Sequence, residues 1–265
     1  MADASSPWFS HYIGIDYSGA RTPTSSLKGL RVYEANVASP PREVPPPPSP
    51  RRYWTRKGAA EWLAEQLRAP EPRIVGIDHA FSFPLQYFEE HRLARDWPAF
   101  LEDFHQHWPT DGDAMCVEFV RDGLDGEGRK RGGDSHWKRV TDRRSGGAKS
   151  VFHFDVPGSV AKSTHAGLPW LRYLRHELGA RVHFWPFDGW EITPGRSAIV
   201  EVYPARWSPE FPREGRSQDQ QDAYAVAAWF RAADASGRLA EFLCPSLTES
   251  ERAAAEIEGW ILGVM

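Results

Sequence analysis

Five acidic residues occupy positions from which their carboxylates could act together on one substrate. Asp16, Asp78 and Glu201 each lie at or near the end of a short apolar segment, and Asp219 and Asp222 lie three residues apart at the start of a helical pattern. Carboxylates gathered in one place raise one another's pKa values, and hard divalent cations relieve that repulsion. These acids therefore predict a site for Mg²⁺ or Mn²⁺, with Asp16 as its central ligand.

Such a site is suited to phosphodiester cleavage, because two metal ions about 4 Å apart can stabilise both the attacking and the leaving oxygen. The predicted metal ligands are Asp16, Asp78, Asp219 and Asp222, and the predicted catalytic residues are Asp16, Asp78, Asp222 and Glu201. Taken singly, each acid has a simpler structural explanation, since an aspartate after a strand often forms a turn and Asp219 could cap its helix. The set as a whole favours a metal-dependent phosphodiesterase.

The elements that must position these acids alternate between strands and helices along the chain. Strands are predicted at residues 11–16, 27–37, 73–78, 182–185 and 196–204. Helices are predicted at residues 56–68 with Thr55 as N-cap, at 84–107 in two pieces separated near Pro98, and at 163–178, 218–233 and 250–261. Ligands of open α/β sheets bind at the carboxyl ends of the strands, where three of the acids fall.

Two segments stand outside this alternation. Residues 40–50 are rich in proline and predict an extended, stiff surface loop, which cannot be a central strand because proline donates no ladder hydrogen bond. Residues 111–149 are rich in glycine and charge and predict an insertion or a mobile loop. The chain of 265 residues is otherwise expected to form a single domain over residues 1–265.

Positive charge is concentrated between Arg129 and Lys149, a segment that contains eight Lys or Arg residues and only two Asp residues. A flexible basic loop beside an acidic metal site could follow a phosphate backbone, and Arg139, Arg143 and Arg144 are the candidate contacts. A solvated surface loop explains the same run equally well.

Lys162 and Ser163 are further candidate phosphate contacts, because they lie at a predicted helix start whose backbone N–H groups could bind an anion. The segment is not a Walker loop, since Val156 and Ala161 occupy the positions where that motif requires glycine.

Composition limits the classes of partner and compartment. The net charge of −4 gives the whole chain no general attraction for nucleic acid. Cys116 and Cys244 lie far apart without ligand-like spacing, which predicts free thiols in a reducing compartment. Residues 1–10 lack the pattern of a signal peptide, and no apolar run is long enough for a membrane helix. A cytoplasmic protein with no membrane partner is expected.

Several of these segments resemble the domain of unknown function 429 family, whose members are predicted to be ribonuclease H-like nucleases. The similar segments are residues 13–19, 75–84, 201–204 and 219–225, and residues 158–164 and 184–189 also resemble segments of related uncharacterised proteins. The resemblance implies an α/β, ribonuclease H-like fold: a central mixed five-stranded sheet, with the first strand central and helices on both faces. It also implies acids on the first strand, the fourth strand and a late helix, which Asp16, Asp78 and Asp222 match.

The chain departs from that family at two places. The expected third strand falls in or near the proline-rich segment, so it must be short or irregular, and the family does not explain residues 111–149.

Three functions are consistent with the sequence. The first is a metal-dependent nuclease or related phosphodiesterase, whose activity Asp16→Asn should abolish. The second is a non-catalytic ribonuclease H-like module that binds nucleic acid or protein and needs neither metal nor Asp16. The third is a phosphotransferase of the actin and sugar-kinase type, in which residues 16–19 would form a phosphate-binding turn.

Overall fold

A computed structural model of the chain describes residues 7–48 and 51–265. In this part of the chain, six strands form one mixed sheet in the order β3-β2-β1-β4-β6-β5. The strands are β1 (His11–Asp16), β2 (Arg31–Asn36), β3 (Arg42–Glu43), β4 (Arg73–Ile77), β5 (Val182–Phe184) and β6 (Ser197–Glu201). The α-helices are α1 (Arg56–Gln66), α2 (Leu85–Glu90), α3 (Trp97–His107), α4 (Val117–Asp122), α5 (Val140–Ser145), α6 (Ala161–Leu178), α7 (Gln218–Ala235), α8 (Leu239–Leu243) and α9 (Glu249–Glu258).

The α/β class predicted from the sequence is confirmed, but the expected count of five strands is wrong. A short or irregular third strand was expected in or near the proline-rich segment, and β3 lies there and pairs antiparallel with β2 at the edge of the sheet. With β5, which lies in the apolar run at residues 182–185, the sheet has six strands. Arg42 and Glu43 can pair because they are not prolines and retain their N–H groups. The expected loop over residues 40–50 thus contains a short edge strand, and its last two residues lie outside the described residues.

The register of the central strands decides which side chains share a face of the sheet. β1 pairs antiparallel with β2 and parallel with β4, which pairs parallel with β6. Ile15, Ile77 and Glu201 stand side by side in this register. Because successive side chains alternate between faces, Asp16 and Asp78 point to the face opposite Glu201.

Helices cover both faces. Ile13, Ile15 and Ile77 pack with apolar residues of α1 and α6, including Leu63 and Leu171. On the other face, Tyr12, Ile74 and Val200 pack with Val226 and Phe230 of α7.

The approach of α7 to the sheet depends on glycines in β1 and β4. A Cβ atom on Gly14 would overlap the carbonyl oxygen of Ala223, and one on Gly76 would lie 2.7 Å from a methyl group of Val226. Gly14 and Gly76 stand opposite one another in the β1–β4 register. The two glycines therefore let α7 lie directly on the strands, with its first turn beyond their ends.

The segment 111–149, expected to be an insertion or a mobile loop, contains α4, α5 and a 3₁₀ turn at Gly128–Arg131. Val117 and Val120 of α4 are fully buried in the core formed with α6, and Arg139 is also buried. Glycine and charge obscured this packing in the sequence, because few apolar residues anchor the segment and one of its anchors is a buried cation.

Local capping preferences explain where α1 and α3 begin. Thr55 caps α1 as predicted, by accepting a hydrogen bond from the N–H of Gly58. Pro98 lies in the first turn of α3 and not between two helical pieces, because that position needs no N–H donor. Near the C-terminus, Ile261 forms a bridge with Glu201, and the Leu262 N–H donates to the Glu201 carbonyl oxygen at 2.9 Å.

None of the described helices is both long enough and apolar enough to cross a bilayer. Cys116 is buried and Cys244 exposed, and both are free thiols.

Candidate carboxylate site

Asp16 and Asp78 form the centre of the site. Asp16 ends β1, and Asp78 follows β4 and extends the ladder through its N–H, which donates to the Ile15 carbonyl oxygen at 3.0 Å. The two half-buried side chains lie within hydrogen-bonding contact of one another. The structure thus brings together two of the sequence-predicted ligands, as expected for acids at the ends of adjacent parallel strands.

Asp219 and Asp222 approach this pair from α7. Both acids lie in the first turns of the helix, N-terminal to the residues that contact Gly14. Asp219 was considered as a helix cap, but Ser217 caps α7 instead and forms a capping box with Gln220. The Asp219 carboxylate is therefore not used as a cap, and it lies next to Gly29 in the loop before β2.

Electrostatics show that the four acids share one environment. Burial raises the pKa of Asp16 well above its usual range, and the charges of Asp78, Asp219 and Asp222 raise it further. Burial also raises the pKa of Asp78, and the charges of Asp222 and, more weakly, Glu201 add to this effect. No Lys or Arg within residues 7–48 and 51–265 forms an ion pair with any of the four, so only a shared proton or a bound cation can relieve their repulsion.

Asp222 does not join the pair directly. Its carboxylate accepts hydrogen bonds from the hydroxyl of Ser208 and from the side-chain amide of Gln218, the latter at 2.9 Å. In the described residues, no three His, Cys, Asp or Glu side chains converge closely enough to hold one ion between them. The pair therefore supplies two ligands, while Asp219 and Asp222 stand near it.

Glu201 lies on the opposite face of the sheet, in a buried ionic cluster. Both of its carboxylate oxygens accept hydrogen bonds from the Arg139 guanidinium, at 2.6 and 2.7 Å, and one also accepts the Phe81 N–H at 3.1 Å. Arg139 is 1% exposed and also binds Asp142 at 2.8 Å. Because its oxygens are fully engaged, we leave Glu201 out of the proposed catalytic set.

The three arginines predicted to contact phosphate have different environments. Arg139 is enclosed by the cluster just described and faces no solvent. Arg144 is exposed but pairs with Glu251 at 2.9 Å, and Arg143 is exposed and donates to the Lys138 carbonyl oxygen. A substrate role for Arg143 and Arg144 stays a prediction, whereas Arg139 has the surroundings of a structural residue.

Lys162 and Ser163 begin α6 beside the turn that follows Asp16. The Lys162 ammonium pairs with Glu118 at 2.9 Å and Asp155 at 3.3 Å, and the Ser163 hydroxyl donates to the Val160 carbonyl oxygen. Their contact with phosphate stays a prediction, and both side chains have partners within the chain.

The turn at residues 16–19 is packed tightly. A Cβ atom on Gly19 would overlap the backbone of Lys162, so the turn lies directly against the start of α6 at this residue. The buried Arg56 holds the following loop by donating to the carbonyl oxygens of Ser18 at 3.1 Å and Ala20 at 2.6 Å. These hydrogen bonds from the first residue of α1 hold the loop after Asp16 in place.

His79, next to Asp78, is poorly suited to act as a general base. Its ring is 2% exposed and packs against Tyr17 and Phe81, and Nδ1 bonds the Ala80 carbonyl oxygen at 2.9 Å. Burial lowers the pKa of His79 to about 4. The imidazole is therefore a neutral packing group behind the site.

A narrow cleft beside Asp78 contains two residues that were not singled out from the sequence. Lys149 and Tyr203 line this cleft, and the buried Arg139 and Glu201 form part of its wall. Lys149 makes no ion pair in the described part of the chain and donates to the Pro157 carbonyl oxygen. Tyr203 could have been noticed, since it lies two residues after Glu201 in a segment already compared with the family.

Comparisons of the chain with protein-family models, with curated proteins and with solved structures found no match. What the chain does must therefore be inferred from the acids, the cleft and their surroundings.

Proposed function

We propose that the chain is a metal-dependent phosphodiesterase, a nuclease built on a ribonuclease H-like sheet. The contact between Asp16 and Asp78 at the open ends of two adjacent parallel strands carries this proposal. The position of β1, between an antiparallel and a parallel neighbour inside a mixed sheet, supports the fold that the family resemblance implies.

The residues present suit a hard divalent cation. Two carboxylates in contact, with no basic partner among the described residues, form an uncompensated negative site of oxygen donors. Mg²⁺ typically binds one or two carboxylates and completes its shell with water and phosphate oxygens, so the Asp16–Asp78 pair is sufficient for one ion. Asp219 and Asp222 would add negative charge around it.

Each side chain has a distinct part in this proposal. Asp16 and Asp78 would hold the ion, and the first two turns of α7 would place Asp219 and Asp222 on the same side of the substrate. Lys149, in the cleft beside Asp78, would contact the negative charge of the phosphate. A bound Mg²⁺ or Mn²⁺ would supply charge stabilisation to the phosphate oxygens.

The proposal is tested by hydrolysis of bis(p-nitrophenyl) phosphate and of a labelled oligonucleotide with Mn²⁺ or Mg²⁺. We expect cleavage by the natural chain, loss of cleavage with EDTA, and loss in Asp16→Asn and in Asp78→Asn. Asp125→Asn is the matched control, because Asp125 is exposed and bonds only its neighbour's N–H. Cleavage by Asp16→Asn at the rate of the control would refute the proposal.

A further inference from the structure

A second feature lies along the same edge of the sheet as the carboxylates. Because β2 runs antiparallel to β1 and β3 antiparallel to β2, the start of β2 and the end of β3 reach the edge where Asp16 ends β1. A groove of about 770 Å³ opens there. Its polar lining is formed by Lys28, Arg31, Glu43, Arg52, Tyr53 and Gln220, and we call it the basic groove.

Two of the cations in the basic groove have no acidic partner within residues 7–48 and 51–265. Lys28 and Arg52 are both exposed and form no ion pair there. Arg31, by contrast, pairs with Glu43 at 2.8 Å, and Glu43 also accepts a hydrogen bond from Gln220 at 2.7 Å. The single acid of the groove is thus neutralised internally, which leaves two positive charges facing solvent.

The groove also contains an aromatic ring with guanidinium groups lying over it. The guanidinium carbons of Arg31 and Arg52 lie 4.7 and 5.3 Å from the centre of the Tyr53 ring. Aromatic rings and guanidinium planes are the groups on which unpaired bases stack. Charge and stacking surface therefore occur together in one groove.

The basic groove lies next to the carboxylate site. A Cβ atom on Gly29 would lie 3.6 Å from the Ser18 hydroxyl and 4.0 Å from the Asp219 carboxylate, and Gly29 directly follows Lys28. Along the sheet edge, β2 and β3 are separated from β4 by two or three strand spacings, or roughly 10–15 Å. A chain lying along this edge would pass from the groove across Asp16 to Asp78.

We propose that the basic groove binds single-stranded nucleic acid and directs it across the carboxylates, so that the substrate is a polynucleotide strand and not a small phosphoester. This inference rests on the proposed function only in treating the bound strand as a substrate. Binding of the strand does not depend on its cleavage. A single strand is favoured over a duplex because only unpaired bases can stack on Tyr53 and Arg52. Lys28 and Arg52 would supply local positive charge for the phosphates of the strand, since the net charge of −4 gives the chain no general attraction for nucleic acid.

Binding is measured with a fluorescein-labelled oligodeoxythymidylate in EDTA, by fluorescence anisotropy over a series of salt concentrations. In the double variant Lys28→Gln/Arg52→Gln, we expect the Kd to rise roughly 10-fold and the slope of log K against log salt to fall by about 1.4, for two lost phosphate contacts. Tyr53→Leu should raise the Kd roughly 10-fold through lost stacking.

Arg238→Gln is the matched control. Arg238 is exposed and lies over the Phe242 ring at 5.5 Å, as Arg52 lies over Tyr53, but it follows the far end of α7. We expect this control to bind like the natural chain. Circular dichroism of each variant confirms that the exposed substitutions leave the fold intact.

The outcomes for the groove and for the proposed function are separable. Unchanged binding in the double variant, or a duplex that binds as tightly as the single strand, would overturn the groove proposal even if bis(p-nitrophenyl) phosphate is cleaved. Weakened binding in both groove variants with an unchanged control supports it, even if no phosphodiester is cleaved and the catalytic proposal fails.

Discussion

Gly14 of β1 lies directly against the carbonyl oxygen of Ala223 in α7, with no room for a side chain between them. Gly14 is two residues before Asp16, and Ala223 is one residue after Asp222. The contact that fixes the helix to the sheet therefore also sets how closely Asp219 and Asp222 approach the Asp16 carboxylate.

Gly14→Ala is expected to destabilise the chain by about 1–3 kcal/mol, because the added methyl group forces a strand and a helix apart. Urea denaturation measures the free energy of unfolding. Gly132→Ala is the control: a Cβ atom there meets nothing closer than 3.9 Å, and its φ of −80° suits any residue. Equal effects of the two substitutions would contradict this account of the interface.

Asp16→Asn should stabilise the metal-free protein at mildly alkaline pH. Folding raises the pKa values of Asp16 and Asp78. The pair therefore does not destabilise the folded state below the ordinary aspartate pKa of about 4, and it destabilises that state increasingly as the pH rises through the raised values. Removing one carboxyl should recover roughly 1 kcal/mol at alkaline pH and less at acidic pH. Thermal melts in EDTA at both pH values measure this, and a gain independent of pH would contradict it.

Metal binding should release protons. An ion held by Asp16 and Asp78 displaces the proton that relieves their repulsion, so the affinity for Mn²⁺ is expected to rise with pH, by up to about tenfold per pH unit for one proton. Isothermal titration calorimetry in buffers of different ionisation enthalpy counts the protons released. Binding without proton release would show that the ion occupies another place.

Glu201→Gln tests whether the cluster on one face of the sheet is independent of the carboxylates on the other. We expect a loss of roughly 3 kcal/mol in stability, because the substitution leaves the buried Arg139 guanidinium with only part of its compensating charge. The fraction that folds should still bind Mn²⁺ as the natural chain does. The control Glu89→Gln removes a pair with Arg95 that is more than half exposed, and it should leave unfolding almost unchanged. Loss of Mn²⁺ binding in folded Glu201→Gln would show that Glu201 contributes to the metal site.

Much of the architecture could be predicted from local patterns. Apolar runs that end in an acid located β1, β4 and β6, and helical spacing located α6 and α7 to within a few residues. Asp219 as a site residue could have been argued more firmly, because the capping box of Ser217 and Gln220 is visible in the sequence and leaves Asp219 without a capping role.

The remaining differences arise from contacts between distant residues. Whether Glu201 shares a face with Asp78 depends on the register between β4 and β6, and one residue of offset moves a side chain to the other face. The burial of Arg139 depends on Glu201, 62 residues away in sequence, and no local signal marks it. The basic groove likewise joins the ends of β2 and β3 to the start of α7.

The bridge from Leu262 to the Glu201 carbonyl has a consequence for how the chain is made. On the ribosome, β6 emerges well before residues 261 and 262, which complete its backbone hydrogen bonds. The carbonyl end of β6, next to the cleft at Asp78, therefore gains these partners only after residues 261 and 262 have been synthesised. This backbone pairing thus forms only after translation has passed every acid of the carboxylate site.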